Sequence, residues 1–132
     1  MTKFIIPFGS IVASITSSLF GGITSLLSIL VIAVIVDYFT GLIASGIQGN
    51  LSSKVGLKGI GRKVLIFSLV AVAHLIDTIL GNQHFIRDAT IIFYIANEFL
   101  SIIENAGRAG VPIPDFIRQA IKSLKNHLPR GK

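Results

Sequence analysis

Long uncharged and apolar segments dominate the first half of the chain. No charged side chain occurs from Phe4 to Val36, and the stretch from Leu26 to Ser45 is apolar apart from Asp37 and a few hydroxyl groups. An α-helix rises about 1.5 Å per residue, so about 20 residues cross a hydrocarbon layer about 30 Å thick. The pattern therefore predicts a membrane-spanning helix over residues 24–45.

Two further apolar segments, residues 64–80 and 88–106, predict additional spans. Between the first two spans, residues 46–63 are rich in glycine and basic residues, which is typical of a loop or hinge, either irregular throughout or with a short surface helix capped by Ser52 or Ser53. Residues 1–22 are apolar, contain several serines and threonines and end in two glycines. They are predicted to form either an interfacial helix or an extra span. Residues 107–132 are predicted to be a basic tail that carries an amphipathic helix.

These segments predict an all-α integral membrane protein, with residues 1–132 as one domain. We expect three transmembrane helices, or four if residues 1–22 form the extra span, and a C-terminal basic amphipathic helix. A hydrophobic content of 52% with only 14% charged residues is too apolar for an ordinary small soluble domain.

The net charge of +6 comes from basic residues that cluster between and after the apolar segments. This distribution favours the anionic surface of a lipid bilayer as partner and not nucleic acid. The positive-inside rule places the 46–63 loop and the C-terminus in the cytoplasm of a multi-pass protein. The residues predicted to lie at the membrane surface are Lys54, Lys58, Arg62, Lys63, Arg118, Lys122 and Lys125.

Asp37 lies inside the first span, where an unpaired carboxylate is costly, so it is expected to face protein or water. Ala33, Gly41 and Ser45 follow the same spacing of four, and Thr40 lies beside them. Such a stripe of small and polar residues allows close helix packing. The contact lies either within one subunit or at a subunit or pore interface.

The second span repeats this arrangement, because Ala73, Asp77 and Gly81 are also spaced by four. His74 is three positions before Asp77, which places both on one face of a helix. This pair either relays protons or lines water, or the two side chains satisfy each other inside the bundle.

The third span has an apolar face and a polar face. Its apolar face is predicted to meet lipid through Ile91, Ile92, Ile95, Phe99, Ile102 and Ile103. The polar stripe, predicted to line a pore or an oligomer contact, consists of Tyr94, Asn97, Glu98, Ser101, Glu104, Asn105 and Arg108. Glu104 and Arg108 are spaced for an i, i+4 ion pair. A span with so many polar groups is not expected to stand alone in lipid.

Candidate catalytic and metal-binding residues are not evident. The chain has no cysteine and three scattered histidines, so no metal site, catalytic residue or cofactor is predicted and an enzyme is disfavoured. The glycine-rich basic segment lacks the spacing of a phosphate-binding loop.

Four motifs carry a family resemblance. DYFTG at 37–41, SSKVGLKGIGRK at 52–63, HLIDTILG at 74–81 and IANEFLSIIENAGRAGVPIP at 95–114 resemble the toxin-secretion and phage-lysis holin family. The similarity extends from about Val36 to Leu124, and ENAGRAGVPIP is its most specific part.

The resemblance implies a homo-oligomer in the bacterial cytoplasmic membrane that opens lesions at a set time. A cytoplasmic endolysin, or a toxin in some relatives, escapes through them without necessarily contacting the holin.

Two alternatives follow from the residues alone. Intramembrane acids also suit a small oligomeric ion channel or transporter subunit. The second alternative is a membrane scaffold that recruits a partner through its basic C-terminal helix.

Overall fold

The computed structural model describes residues 2–22 and 24–126, which form five helices and no strand. The predicted all-α fold is confirmed. The helices are α1 Thr2–Phe20, α2 Ser25–Ile47, α3 Ser53–Leu80, α4 Phe85–Arg108 and α5 Asp115–Asn126.

Three of the described helices are long and apolar enough to cross a membrane: α1 from Lys3 onward, α2 and α3. The number of candidate spans agrees with the predicted three, but the helices differ: α1 is included and the helix that contains residues 88–106 is not. Residues 1–22 were predicted as either an interfacial helix or an extra span, and α1 meets the length and hydropathy of a span. The 88–106 segment falls within α4, whose polar stripe lowers its hydropathy below that of the other three.

α3 is longer than its apolar segment. It begins at Ser53, and the Ser52 hydroxyl caps it by accepting the backbone N–H of Val55 at 3.2 Å. The helix start allowed for at Ser52 or Ser53 is therefore present at Ser52, but residues 53–63 belong to α3 itself and not to a separate short helix or a loop. A serine cap followed by lysines and leucine outweighs the helix-weakening effect of the glycines. The connection between α2 and α3 is reduced to five residues, 48–52.

α4 is the central helix and packs against α2, α3 and α5. Two of the isoleucines predicted to face lipid, Ile91 and Ile95, are only 0% and 5% exposed and belong to the protein core. The lipid assignment was wrong for both, because neighbouring helices cover α4 on its apolar side as well as on its polar side. The buried core residues are Leu27, Leu30, Val34, Val70, Ile91 and Ile95.

The two terminal helices are more loosely attached. Residues 3–15 of α1 are exposed, and its C-terminal end contacts the bundle through Phe20, whose ring meets Phe67 edge-on. α5 packs against α4 and buries Ile121. Asp115 lies in the first turn of α5, where its negative charge is favoured by the helix dipole. α1 and α5 thus present large apolar surfaces outside the α2–α3–α4 core.

Candidate functional site

The three central helices each contribute one charged side chain to a buried cluster. The Lys63 ammonium of α3 donates to both carboxylate oxygens of Glu98 on α4, at 2.9 and 2.8 Å, and to Asp37 Oδ2 on α2. The side chains of Asp37 and Glu98 are each 5% exposed, and that of Lys63 is 18% exposed. We call this cluster the ion triad.

Asn105 extends the triad towards the end of α4. Its side-chain amide nitrogen lies 2.9 Å from Asp37 Oδ1, 3.1 Å from the Asp37 carbonyl oxygen and 3.0 Å from the Thr40 hydroxyl. Arg108 Nη2 donates to Asn105 Oδ1 at 3.0 Å, which fixes the orientation of the amide. Arg108 Nη1 also donates to Gln48 Oε1 at 3.2 Å, so the ends of α2 and α4 are joined.

A tyrosine joins α2 to α3 next to the triad. The Tyr38 hydroxyl lies 3.4 Å from the Gly56 carbonyl oxygen, and its ring packs on Gly59. A Cβ atom at Gly59 would lie 3.2 Å from the ring, so the ring would have to move by a few tenths of an ångström. The glycines of the basic segment therefore allow a close helix contact.

The triad occupies one level in the bundle. Asp37 precedes the last residue of α2 by ten positions, Glu98 precedes the last residue of α4 by ten, and Lys63 follows the first residue of α3 by ten. At about 1.5 Å per residue, the charges lie about 15 Å along each helix from the same end of the bundle. This depth is well inside a membrane-sized helix bundle.

The charges of the triad do not cancel, since one ammonium faces two carboxylates. Removing one partner of a buried pair costs about 3–5 kcal/mol, because the remaining charge is left uncompensated. The arrangement therefore depends on all three helices staying together, and separating any one of them leaves a charge without its partner.

The polar stripe of α4 is divided by the structure. Glu98 and Asn105 are buried in the triad network. Tyr94, Asn97 and Ser101 are half-buried, whereas Glu104 and Arg108 are exposed. The predicted ion pair between Glu104 and Arg108 is not formed in the described part of the chain, because Arg108 turns to Gln48 and Asn105 instead.

The small residues on α2 and α3 lie mostly at helix contacts. Ala33, Ser45 and Ala73 are buried, and Gly41 faces the Asn105 amide at ordinary contact distance. Gly81 has another role: it ends α3 in the left-handed conformation, with φ 70°.

Lys63 differs from its predicted position at the membrane surface, because its ammonium is held inside the triad. Its partners are 26 and 35 positions away in the sequence, so helical spacing could not identify them. The other residues of that predicted group are exposed: Lys54, Lys58, Arg62, Arg118, Lys122 and Lys125.

Asp77 does not pair with His74. Its two carboxylate oxygens accept the backbone N–H groups of Ile86 and Arg87, at 3.0 and 2.8 Å, across the turn into α4. A carboxylate at this position satisfies free amides at a helix N-terminus and is favoured by the helix dipole. The interpretation that His74 and Asp77 satisfy each other was therefore wrong, and His74 Nδ1 is buried without a hydrogen-bond partner among the residues that the structure describes.

Arg87, which the sequence analysis did not single out, ties α1 to this end of the bundle. It is 3% exposed, and its Nη1 donates to the Phe20 carbonyl oxygen at 2.8 Å. Gly21 has φ +77°, and a Cβ there would lie 2.6 Å from Arg87 Nη1. The only sequence signal was an arginine next to Asp88 at the start of a helix, and Arg87 does bond to that carboxylate.

We expect Asp77→Ala to loosen the start of α4. Loss of a capping side chain costs about 0.5–2 kcal/mol, so the amides of Ile86 and Arg87 should exchange with deuterium up to about thirtyfold faster. Asp88→Ala is the matched control, because it removes a first-turn carboxylate that accepts neither amide. Equal acceleration in both variants would contradict the capping role of Asp77.

Metal binding has no support in the described ranges 2–22 and 24–126, where no group of three or more histidine, cysteine or acidic side chains could hold an ion. The chemistry of the site is that of paired charges and hydrogen bonds between helices.

Comparisons with known proteins give consistent matches. The sequence profile of the bacteriophage holin family matches residues 14–126. An uncharacterized protein of Halalkalibacterium halodurans is 50% identical over 121 residues, which cover 88% of this chain and 90% of the relative. An uncharacterized protein of Listeria monocytogenes is 47% identical over 120 residues, 90% of this chain and 86% of the relative. A protein of Bacillus phage phi105 named "probable holin" is 38% identical over 100 residues, 76% of this chain and 74% of the relative. No solved structure gives a significant match.

Proposed function

Because the chain belongs to the bacteriophage holin family, we propose that it oligomerises in the bacterial cytoplasmic membrane and opens lesions there at a set time. A cytoplasmic endolysin then passes through the lesions and lyses the host cell. The resemblance seen in the motifs is confirmed, and the family is one of membrane-permeabilising proteins and not of enzymes.

The observation that carries this proposal is the position of the ion triad inside the subunit. Asp37, Lys63 and Glu98 satisfy one another among three helices, so the closed subunit keeps these charges away from lipid. Large apolar side chains cover much of its outside, including Phe39, Ile43, Leu65 and Ile79. Such a subunit can accumulate in a membrane without permeabilising it.

Opening requires the polar groups of several subunits to turn towards water together. Asp37, Lys63, Glu98 and Asn105 would be hydrated in a lesion, where each no longer depends on a single partner. A buried polar group that loses its partner destabilises the protein by about 1–3 kcal/mol. This destabilisation applies when the helices separate in lipid, but not when they separate in a hydrated lesion, where water replaces the lost partner. Many subunits share the gain, which makes opening cooperative with density.

The orientation that we propose places the triad end of the bundle near the cytoplasm. Lys54, Lys58 and Arg62 lie on the first turns of α3, and Arg108 ends α4 close to the basic helix α5. The opposite end carries Arg87 bonded to Asp88. The excess of positive charge at one end satisfies the positive-inside rule with a cytoplasmic C-terminus.

Co-expression with a cytoplasmic endolysin that lacks an export signal tests the proposal. We expect an abrupt loss of membrane potential followed by a fall in turbidity that requires the endolysin. The control is the same strain with a catalytically inactive endolysin, which should depolarise without clearing. Depolarisation without endolysin-dependent lysis would contradict passage of the endolysin and indicate either a small-pore holin or an ion channel, and no depolarisation would indicate a scaffold.

A further inference from the structure

A crevice with cationic and apolar walls opens between α2, α3 and α4 beside the ion triad. It has a volume of about 290 Å³ and is lined on one side by Lys58, Arg62 and Lys63 of α3 and on the other by Ser101, Asn105 and Arg108 of α4. Tyr38 and Ser45 of α2 add hydroxyl groups to the lining, and Leu42 and Val55 add apolar surface. Cations from two helices therefore face one open crevice.

Three of these cations are free to bind an anion. Lys58, Arg62 and Arg108 are exposed, and none of them forms an ion pair with an acidic side chain in the part of the chain that the structure describes. Arg108 uses two of its five N–H groups on Gln48 and Asn105 and keeps the others. The only acid that lines the crevice is Asp37, which is already bound to Lys63.

The depth of the crevice suits a lipid headgroup. Lys58 is five positions from the start of α3, which at about 1.5 Å per residue is about 7.5 Å from that end. Leu57 and Ile60 on the same turns are 69% and 49% exposed. Apolar side chains on the outside and cations towards the crevice are the arrangement of a helix segment at the boundary between acyl chains and headgroups.

We infer that this crevice binds the phosphate group of an anionic phospholipid from the cytoplasmic leaflet. Lys58 and Arg62, one helical turn apart, contact the phosphate from α3, and Arg108 contacts it from α4. The phosphate belongs to a lipid and is not a free anion, because the exposed Leu57 and Ile60 on the same turns of α3 contact the acyl chains of that lipid. A bound phosphate draws α3 and α4 together next to Lys63.

Native mass spectrometry of the purified full-length chain tests the inference. The protein in detergent micelles is offered equal amounts of phosphatidylglycerol and phosphatidylcholine, and the retained lipids are counted. We expect retention of phosphatidylglycerol over phosphatidylcholine. The double variant Lys58→Gln with Arg62→Gln should lose this preference by about tenfold or more, because each cation near an anionic headgroup contributes to binding.

The matched control is Lys54→Gln with Lys125→Gln, which removes the same charge from exposed positions outside the crevice. An equal loss of preference in both double variants would overturn the site in favour of a diffuse basic surface. Complete displacement of phosphatidylglycerol by excess inorganic phosphate would overturn the assignment to lipid. The inference uses the proposed cytoplasmic orientation but not lesion formation, so lipid retention and the lysis assay can fail independently.

Discussion

Lysis is expected to begin early when Lys63 is replaced by methionine. The substitution leaves Asp37 and Glu98 facing each other without the cation that both contact. Loss of one partner of a buried ion pair costs about 3–5 kcal/mol, which is the largest effect that a single substitution in this site should have. Because the closed subunit carries this cost and a hydrated lesion does not, the balance shifts towards opening.

The measurement is the time from induction to loss of membrane potential, at matched amounts of protein in the membrane fraction. Lys54→Met is the control: it removes one positive charge from the same helix at an exposed position. Its timing should remain close to that of the wild type. If Lys63→Met lysed at the normal time with a normal amount of protein in the membrane fraction, the proposal that the triad holds the subunit closed would be contradicted.

A neutral triad offers a further control for Lys63. Combining Lys63→Met with Asp37→Asn and Glu98→Gln removes all three charges, so no carboxylate is left uncompensated. We expect later depolarisation than in Lys63→Met alone, because uncharged groups at the same positions can still bond to Asn105 and to each other. If the triple variant opened as early as the single one, the cause would be lost packing and not lost charge.

The sequence identified the carboxylates of this site but not their partner. Asp37 stood out because an acid inside an apolar segment needs a protein or water contact, and Glu98 stood out as a member of the polar stripe of the third span. Lys63 was assigned to the membrane surface because it closes a basic segment. The structure does expose the other basic residues of that segment, Lys54, Lys58 and Arg62. Only the packing of α3 beside α2 and α4 brings its ammonium to both carboxylates, and no local spacing encodes that contact.

Local spacing also misassigned two pairs. His74 and Asp77 are well placed for each other on one helix, yet Asp77 accepts two backbone amides nine and ten positions later. Glu104 and Arg108 are similarly placed, yet Arg108 bonds to α2. Exposed pairs within a helix contribute only about 0.2–0.5 kcal/mol, so free helix-end amides and contacts between helices readily prevail.

Apolar patterning has a comparable limit in a membrane protein. Ile91 and Ile95 share a face with residues that resemble a lipid-facing stripe, but they lie in the core. Lipid and the interior of a helix bundle are both apolar, so hydrophobicity alone does not separate them. The helical segments themselves were predictable because their length and apolar content are set by the bilayer.

Replacing Glu98 with leucine is expected to abolish or strongly delay lysis while insertion into the membrane continues. Without Glu98, Lys63 keeps Asp37 as its partner, so the buried charges balance one to one. The subunit also loses a carboxylate that a hydrated lesion would solvate, which removes about 1–3 kcal/mol of driving force per subunit. Glu98→Gln retains an acceptor for Lys63 and should produce a smaller delay in the same direction.

Glu104→Leu is the matched control, because Glu104 lies on the same helix but is exposed and outside the triad. Lysis time and the amount of protein in the membrane fraction are measured together for all three variants. The expected order is a long delay for Glu98→Leu, a shorter one for Glu98→Gln and little change for Glu104→Leu. Lys63→Met and Glu98→Leu remove opposite charges from one contact. If charge balance in the triad controls opening, the two variants should shift the lysis time in opposite directions. General destabilisation of the subunit would shift both in the same direction.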